Sequence, residues 1–152
     1  MLSNIKKSDI ERKYLLAIDY GRKYTGLAHY RVGIDPFILK FGRIKYESDD
    51  QLIDEIIKVL GEEFMDIVVC GIPFFTDGKA STMTKTIQDF ATKLKAKLDV
   101  PLYLQNETLT TFEAEERMKN DPQYNFKVDY TQIDAVAATI ILEEFVNNSS
   151  DE

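Results

Sequence analysis

Asp19, Glu107 and Asp134 are the side chains of this 152-residue chain best placed to do chemistry. Asp19 ends the apolar run Tyr14-Leu15-Leu16-Ala17-Ile18 and is followed at once by Tyr20-Gly21. A short unbroken aliphatic run reads as a buried strand. A carboxylate at its end loses water, a cost that a cation or strong donors must offset. Magnesium or manganese is one natural partner; a hydrogen bond to the turn at Gly21 is the plainer alternative. Glu107 follows Leu102-Tyr103-Leu104 by three residues and projects from that strand's carboxyl end; alone it reads as a solvated loop acid. Asp134 lies in the first turn of the last helix, where an acid complements the helix dipole. Ala137 and Ala138 lie one turn on and let that helix approach the sheet closely. Taken together, the three acids converge on one sheet edge. Such a cluster suits two-metal phosphodiester hydrolysis, in which two divalent ions about 4 Å apart clamp the scissile phosphate. Hard oxygen ligands select magnesium or manganese over zinc, and no histidine base is needed.

The remaining composition narrows the choice. The single histidine, His29, sits in the strand-like Leu27-Ala28-His29-Tyr30, and the single cysteine, Cys70, in Asp66-Ile67-Val68-Val69-Cys70. One of each cannot build an ordinary zinc site or an internal disulfide, and neither fits a nucleophilic triad. A hydrophobic content of 44% with 30% charged residues is that of an ordinary globular domain, and the length suits one domain over 1–152. No stretch is long enough to span a membrane, and Met1 to Lys13 lacks the apolar core of a signal peptide, so a cytoplasmic protein is expected. The net charge of −7 disfavours nucleic acid globally. Locally, Arg12, Lys13, Arg22 and Lys23 surround Asp19 in sequence, with Lys40, Arg43 and Lys45 soon after.

The elements that must position the acids follow from periodicity. Strands are expected at 14–19, 24–32 and 36–46, close enough together to be antiparallel neighbours. Ser48 with Gln51 reads as a capping box. It opens a helix striped by Leu52, Ile53, Ile56, Ile57 and Leu60 and followed by Gly61. A buried strand over 67–72 ends at Pro73, a helix covers 81–98, and a strand covers 101–105. Thr110 and Glu113 form a second capping box for a helix over about 111–119. Asp121-Pro122 breaks the chain before the last helix, 131–146. Residues 1–12 and 148–152 read as frayed ends. This order predicts an α/β fold: a mixed five-stranded sheet, three antiparallel strands then parallel ones, flanked by helices. That is the ribonuclease H-like layout, with sites outside the carboxyl ends of the parallel strands.

Four segments, in order, resemble the YqgF/RuvX family, Holliday-junction-resolvase-like proteins treated as pre-16S rRNA nucleases. Asp19-Tyr20-Gly21-Arg22-Lys23-Tyr24-Thr25-Gly26 resembles the opening Asp-x-Gly-x-Lys-Arg-x-Gly. Gly71-Ile72-Pro73 with Asp77-Gly78 resembles the Gly-Leu-Pro…Asp-Gly loop, and Glu107-Thr108-Leu109-Thr110-Thr111-Phe112-Glu113-Ala114 the Glu-Arg-Leu-Thr-Thr-x-Glu-Ala motif. Asp134 to Leu142 resembles the final Asp-x-x-Ala-Ala-x-x-Ile-Leu helix. The resemblance implies a hydrolase with Asp19, Glu107 and Asp134 as catalytic, metal-binding acids using Mg2+ or Mn2+. It implies that Gly21 and Gly26 turn the backbone beside them and that Lys23 holds a substrate phosphate. Gly71 and Pro73 would shape a loop across the cleft, and Thr110 and Thr111 would start a helix whose N–H groups meet phosphate. The implied partner is nucleic acid, precursor rRNA in ribosome biogenesis or branched DNA, with ribosomal or processing factors as further partners; monomer and homodimer both stay open.

The departures concern positive charge. Tyr24 and Thr108 stand where the family pattern has arginines, and Asn106 where it has an acid. Phe126-Lys127-Val128-Asp129-Tyr130 replaces a basic, glycine-containing stretch. Each lost arginine removes a bidentate phosphate contact. Asp129 reads as a loop acid rather than a fourth ligand. Two rival functions remain: an actin-like or sugar-kinase phosphate loop, which needs a second such domain, and a non-catalytic module docking on a processing complex. The three intact acids oppose the latter, because an unused carboxylate cluster only repels itself.

Overall fold

The computed structural model describes residues 5–74, 77–107 and 110–149. Five strands, β1 (Tyr14–Asp19), β2 (Tyr24–Arg31), β3 (Leu39–Lys45), β4 (Ile67–Pro73) and β5 (Leu102–Glu107), form one sheet in the order β3-β2-β1-β4-β5. The first three are antiparallel neighbours, and β4 and β5 run parallel to β1. This is the expected mixed sheet of the ribonuclease H-like fold. The helices are α1 (Lys7–Ile10), α2 (Asp49–Glu63), α3 (Thr82–Lys97), α4 (Thr110–Lys119) and α5 (Ile133–Asn147). Among the described residues no helix is long and apolar enough to cross a membrane.

Period-two alternation splits the core. Leu16, Ile18, Val68, Cys70 and Ile72 face α2 and α3, where Ile53, Ile56, Phe90 and Leu94 meet them. Leu15, Ala17, Ala28 and Val69 face α5, meeting Ala138, Ile141, Leu142 and Phe145. A third cluster joins α5 to α4 through Val136, Ala137, Ile140, Ala114 and Met118. Buried on both sides, α5 is apolar nearly all round. Of the two small residues, only Ala138 packs towards the sheet; Ala137 faces α4.

Several boundaries differ from expectation. The start of the chain is not frayed from residue 5 on: Lys7–Ile10 is a helical turn, and Ile5 and Ile10 are buried in the α5 layer. At the other end Asn148 and Ser149 are ordered, Ser149 Oγ donating to the Val146 carbonyl, while 150–152 lie outside the described residues. Strand β3 begins at Leu39 because Pro36 and the exposed Phe37 belong to the connection. Helix α2 runs through Gly61 and stops at Phe64, whose φ of 57° breaks it. Its Ser48–Gln51 capping box is present as expected. Helix α4 does not have the expected one: Thr110 is already its first residue, its Oγ1 has no hydrogen-bond partner, and Glu113 pairs with Arg117 at 2.6 Å.

Tyr20 locks the end of β1 to the helices behind it. Its hydroxyl donates to Asp49 at 2.8 Å, Tyr46 donates to the same oxygen at 2.7 Å, and Lys93 reaches the other at 3.1 Å. Burial pushes the Asp49 carboxyl up, but these three donors outweigh it and hold it below its ordinary value of 3.8. A lowered acid stabilises the fold above its unfolded pKa, and that contribution is lost as pH falls through the folded one. Asp49→Asn is therefore expected to cost about 1.5–3 kcal/mol at pH 7, the range for hydrogen bonds to a charged group. Urea denaturation should show the gap closing below pH 3.8.

Candidate active site

The end of β1, the end of β5 and the start of α5 meet at one edge of the sheet. Asp19 is the last residue of β1 and pairs with Gly26 of β2. Glu107 is itself the last residue of β5, paired with Pro73 of β4, rather than lying beyond the strand. Asp134 is the second residue of α5. Asp19, Gly71 and Glu107 all fall on the α5 face of the sheet, as strand alternation requires.

Three glycines make this convergence possible. A Cβ at Gly26 would lie 1.9 Å from the Asp134 carbonyl oxygen, so only glycine lets α5 begin directly over β2. Gly26 is thus not a turn residue: it sits within β2 and sets the height of Asp134 above Asp19. Gly71 is likewise in a buried strand rather than a loop; a Cβ there would meet Ile141 at 2.4 Å and Glu107 Cγ at 3.2 Å. Gly21 does turn the backbone. A Cβ on it would lie 2.2 Å from the Tyr24 carbonyl oxygen, and the Thr25 hydroxyl bridges the turn, 3.3 Å from the Gly21 carbonyl.

Asp19 keeps a sliver of accessible surface, yet protein crowds its carboxyl from every side. Burial first, then the charges of Glu107 and Asp134, push its pKa well above 3.8. Burial also raises Glu107 and Asp134; the Arg43 guanidinium partly offsets the rise at Asp134. The three acids therefore share one electrostatic neighbourhood. Among the described residues no hydrogen bond reaches the Asp19 carboxylate. Nor do any three His, Cys, Asp or Glu side chains there close into a ready-made ion cage. The donor set is carboxylate oxygen with excess negative charge, which is the chemistry a hard divalent cation fits.

The other expected residues fall around this cluster. Lys23 is exposed on the β1–β2 turn, where its carbonyl accepts from Tyr46. The Pro73 carbonyl is held by the Thr84 hydroxyl at the start of α3. Thr110 lies beside Glu107 and steadies that carboxylate, but the geometry falls short of a hydrogen bond, so its buried oxygen is unpartnered. Thr111 is exposed in the first turn of α4, and Asp77 and Gly78 form an exposed turn. Thr108 lies outside the described residues. Asp129 is a loop acid as expected, accepting from Thr131 and Gln132. His29 and Cys70 are structural: His29 bonds the Tyr14 hydroxyl at 2.6 Å, and burial pushes the Cys70 thiol up.

Against that geometry the comparisons with known proteins are decisive. The family described as RuvX, Holliday junction resolvase, matches residues 13–148. The chain belongs to the RuvX family. One relative of this RuvX chain, from Nitratidesulfovibrio vulgaris, carries the provisional name of pre-16S rRNA nuclease. It is 33% identical over 137 residues, covering 89% of this chain and 93% of its own. A relative of the same name from Synechococcus elongatus is 34% identical over 134 residues, 87% of each chain. Among solved structures, Thermus thermophilus RuvC in complex with a Holliday junction substrate superposes with a TM-score of 0.57 at 13% identity, covering 89% of this chain and 95% of that one. The yeast mitochondrial Holliday junction resolvase gives 0.56 at 13% identity, covering 96% and 80%. These two likenesses concern the fold alone.

Two side chains of the RuvX chain escaped the sequence reading. Glu144 of α5 has a buried Oε1 without a partner, and its pKa is raised by burial and then by Glu113 and Glu107. A charge inside an otherwise apolar helix was the available signal. Arg43 stood out only as one of several basic residues, because register, not sequence spacing, brings it to Asp134.

Proposed function

We propose that this chain is a metal-dependent nuclease hydrolysing phosphodiester bonds, with Asp19, Glu107 and Asp134 holding Mg2+ or Mn2+ and pre-16S rRNA 5′ ends as substrate. One observation carries the reading: at one end of the sheet of a RuvX-family domain, the charges of Glu107 from β5 and Asp134 from α5 add to burial in raising the pKa of Asp19 at the end of β1. When bound, two divalent ions would activate water and stabilise the leaving oxygen. The chain's own part is to hold the carboxylates on rigid elements. Tyr20 anchors the end of β1, and Gly26 fixes the start of α5 above it. The relatives' names favour precursor rRNA. The family description favours a four-way DNA junction as the alternative substrate.

Incubating the protein with a precursor rRNA fragment and, separately, a DNA four-way junction tests both readings. Cleavage of the RNA should require Mg2+ or Mn2+, stop with chelator, and fall at least about a hundredfold in Glu107→Gln, since a ligand to the reacting centre is lost. Cleavage of the junction alone would move the substrate to branched DNA. Activity indifferent to chelator would dismiss the metal reading.

A further inference from the structure

The arginines missing from the family pattern leave the acid cluster without an obvious phosphate grip, yet one guanidinium stands beside it. Arg43 of β3 lies opposite Gly26, and Gly26 lies opposite Asp19, so the three form one row across β3, β2 and β1. Directly opposed residues on neighbouring antiparallel strands are about 5 Å apart and project to the same face. Asp19 and Arg43 therefore flank Gly26, and the Asp134 backbone sits on Gly26. The Arg43 guanidinium stacks on the Tyr24 ring, Cζ lying 3.6 Å from its centroid. Tyr24 is two residues before Gly26 on the same face, and it is the residue that replaces the family arginine.

Arg43 is also an uncommitted cation, and the half-buried one in the same row as Asp19. Lys40 is spent on Tyr124 and Gln132, at 2.6 and 2.7 Å, and Arg117 on Glu113 and Glu143. Among the described residues Arg43 is half-buried with no hydrogen bond and no ion pair; its guanidinium lies over the Tyr24 ring, within electrostatic reach of Asp134. A planar guanidinium held flat on an aromatic ring keeps its N–H edge free for a bidentate acceptor. A charge fixed this way, with its donors unspent, fits an anion arriving from outside the protein.

We propose that Arg43, held on Tyr24, is a phosphate-binding residue for the nucleic-acid strand that enters the acid cluster. Resting on the nuclease reading above, this gives the acid cluster a phosphate grip at position 43, with Tyr24 as its platform. The ligand chemistry is a backbone phosphodiester, contacted without reading base identity.

The test measures binding of a fluorescein-labelled single-stranded RNA and a labelled DNA four-way junction by anisotropy across a salt series, with circular dichroism to confirm folding of every variant. Arg43→Gln should weaken binding roughly ten- to a hundredfold and flatten the slope of log affinity against log salt by about 0.7 for the single strand. Arg43→Lys should keep the slope while losing part of the affinity, because charge survives without the fork. Tyr24→Ala should weaken binding with the slope unchanged, as the platform goes and the charge stays. Tyr24→Arg placed in the Arg43→Gln protein should restore the slope. A wild-type protein that binds while Arg43→Gln matches it in affinity and slope overturns the assignment alone. A wild-type protein that binds neither probe overturns the nucleic-acid reading and the assignment with it.

Discussion

Asp19→Asn is expected to abolish cleavage, by roughly a thousandfold or more, while making the chelator-treated protein more stable at pH 8. The first half follows from the loss of a ligand and of preorganised charge at the reacting centre. The second follows from the sign of the pKa shift. Burial, then Glu107 and Asp134, raise the Asp19 carboxyl well above 3.8, so the folded protein holds a proton that the unfolded chain has released. Such a group costs stability as pH climbs above 3.8 towards the raised value, and the cost is complete above it. An amide of the same shape removes the charge and the cost together, a gain on the order of 2 kcal/mol. Thermal unfolding in chelator should show the variant ahead of wild type at pH 8, with the difference shrinking towards pH 4. Adding Mg2+ or Mn2+ should then raise the melting temperature of wild type and leave the variant nearly unmoved. A variant that stays active, or that is less stable than wild type at pH 8 in chelator, defeats the metal-ligand reading of Asp19. The two halves pull in opposite directions, and that separates a functional acid from a structural one: Asp49, with three donors, loses stability when neutralised, whereas Asp19 gains it.

This contrast also shows what could be read from the chain alone. The positions of Asp19, Glu107 and Asp134 were legible from their elements: Asp19 closes the apolar run 14–18, Glu107 follows the short apolar stretch Leu102-Tyr103-Leu104, and α5 is apolar for most of its length. The antiparallel-then-parallel character of the sheet followed from short connections between the first strands and helical crossovers later; the order of its strands came from the structure. Local chemistry misled where a tertiary contact took over. Thr110 and Glu113 have the spacing of a capping box, but Arg117 draws Glu113 away and the Thr110 hydroxyl lies beside Glu107. Ile5 and Ile10 looked like part of a charged tail, yet the α5 layer buries both. Arg43 was illegible for a different reason. It is 24 residues from Asp19 and 91 from Asp134 in the numbering, and only the pairing of β3 with β2 through Gly26 brings it into the same row. The bulge between Leu27 and Ala28 lies just beyond that pair, so no count along β3 from its start would have placed Arg43 correctly.

Gly26→Ala is the second large effect, and it acts through backbone rather than charge. A methyl there would sit 1.9 Å from the Asp134 carbonyl oxygen, 2.2 Å from its carbon and 2.9 Å from the Ala135 nitrogen. These are backbone atoms at the start of a helix, so no rotamer change relieves the contact. Either α5 lifts or β2 sinks, and both are packed: α5 is buried against the sheet on one side and α4 on the other. Overpacking a core with one carbon costs about 1–3 kcal/mol when side chains can yield; here they cannot, so a loss of at least about 3 kcal/mol is expected in urea denaturation. Gly61 supplies the control. It lies inside α2, and a methyl added there would meet nothing within 4 Å, so Gly61→Ala should gain about 0.5–1 kcal/mol from helix propensity. Where Gly26→Ala still folds, activity should fall roughly a hundredfold, because a displacement of about 1 Å between Asp134 and Asp19 misaligns groups that must act on one phosphate. Gly26→Ala matching wild type within about 0.5 kcal/mol would mean that α5 does not rest on β2 as described, and the vertical spacing of the acid cluster would lose its cause.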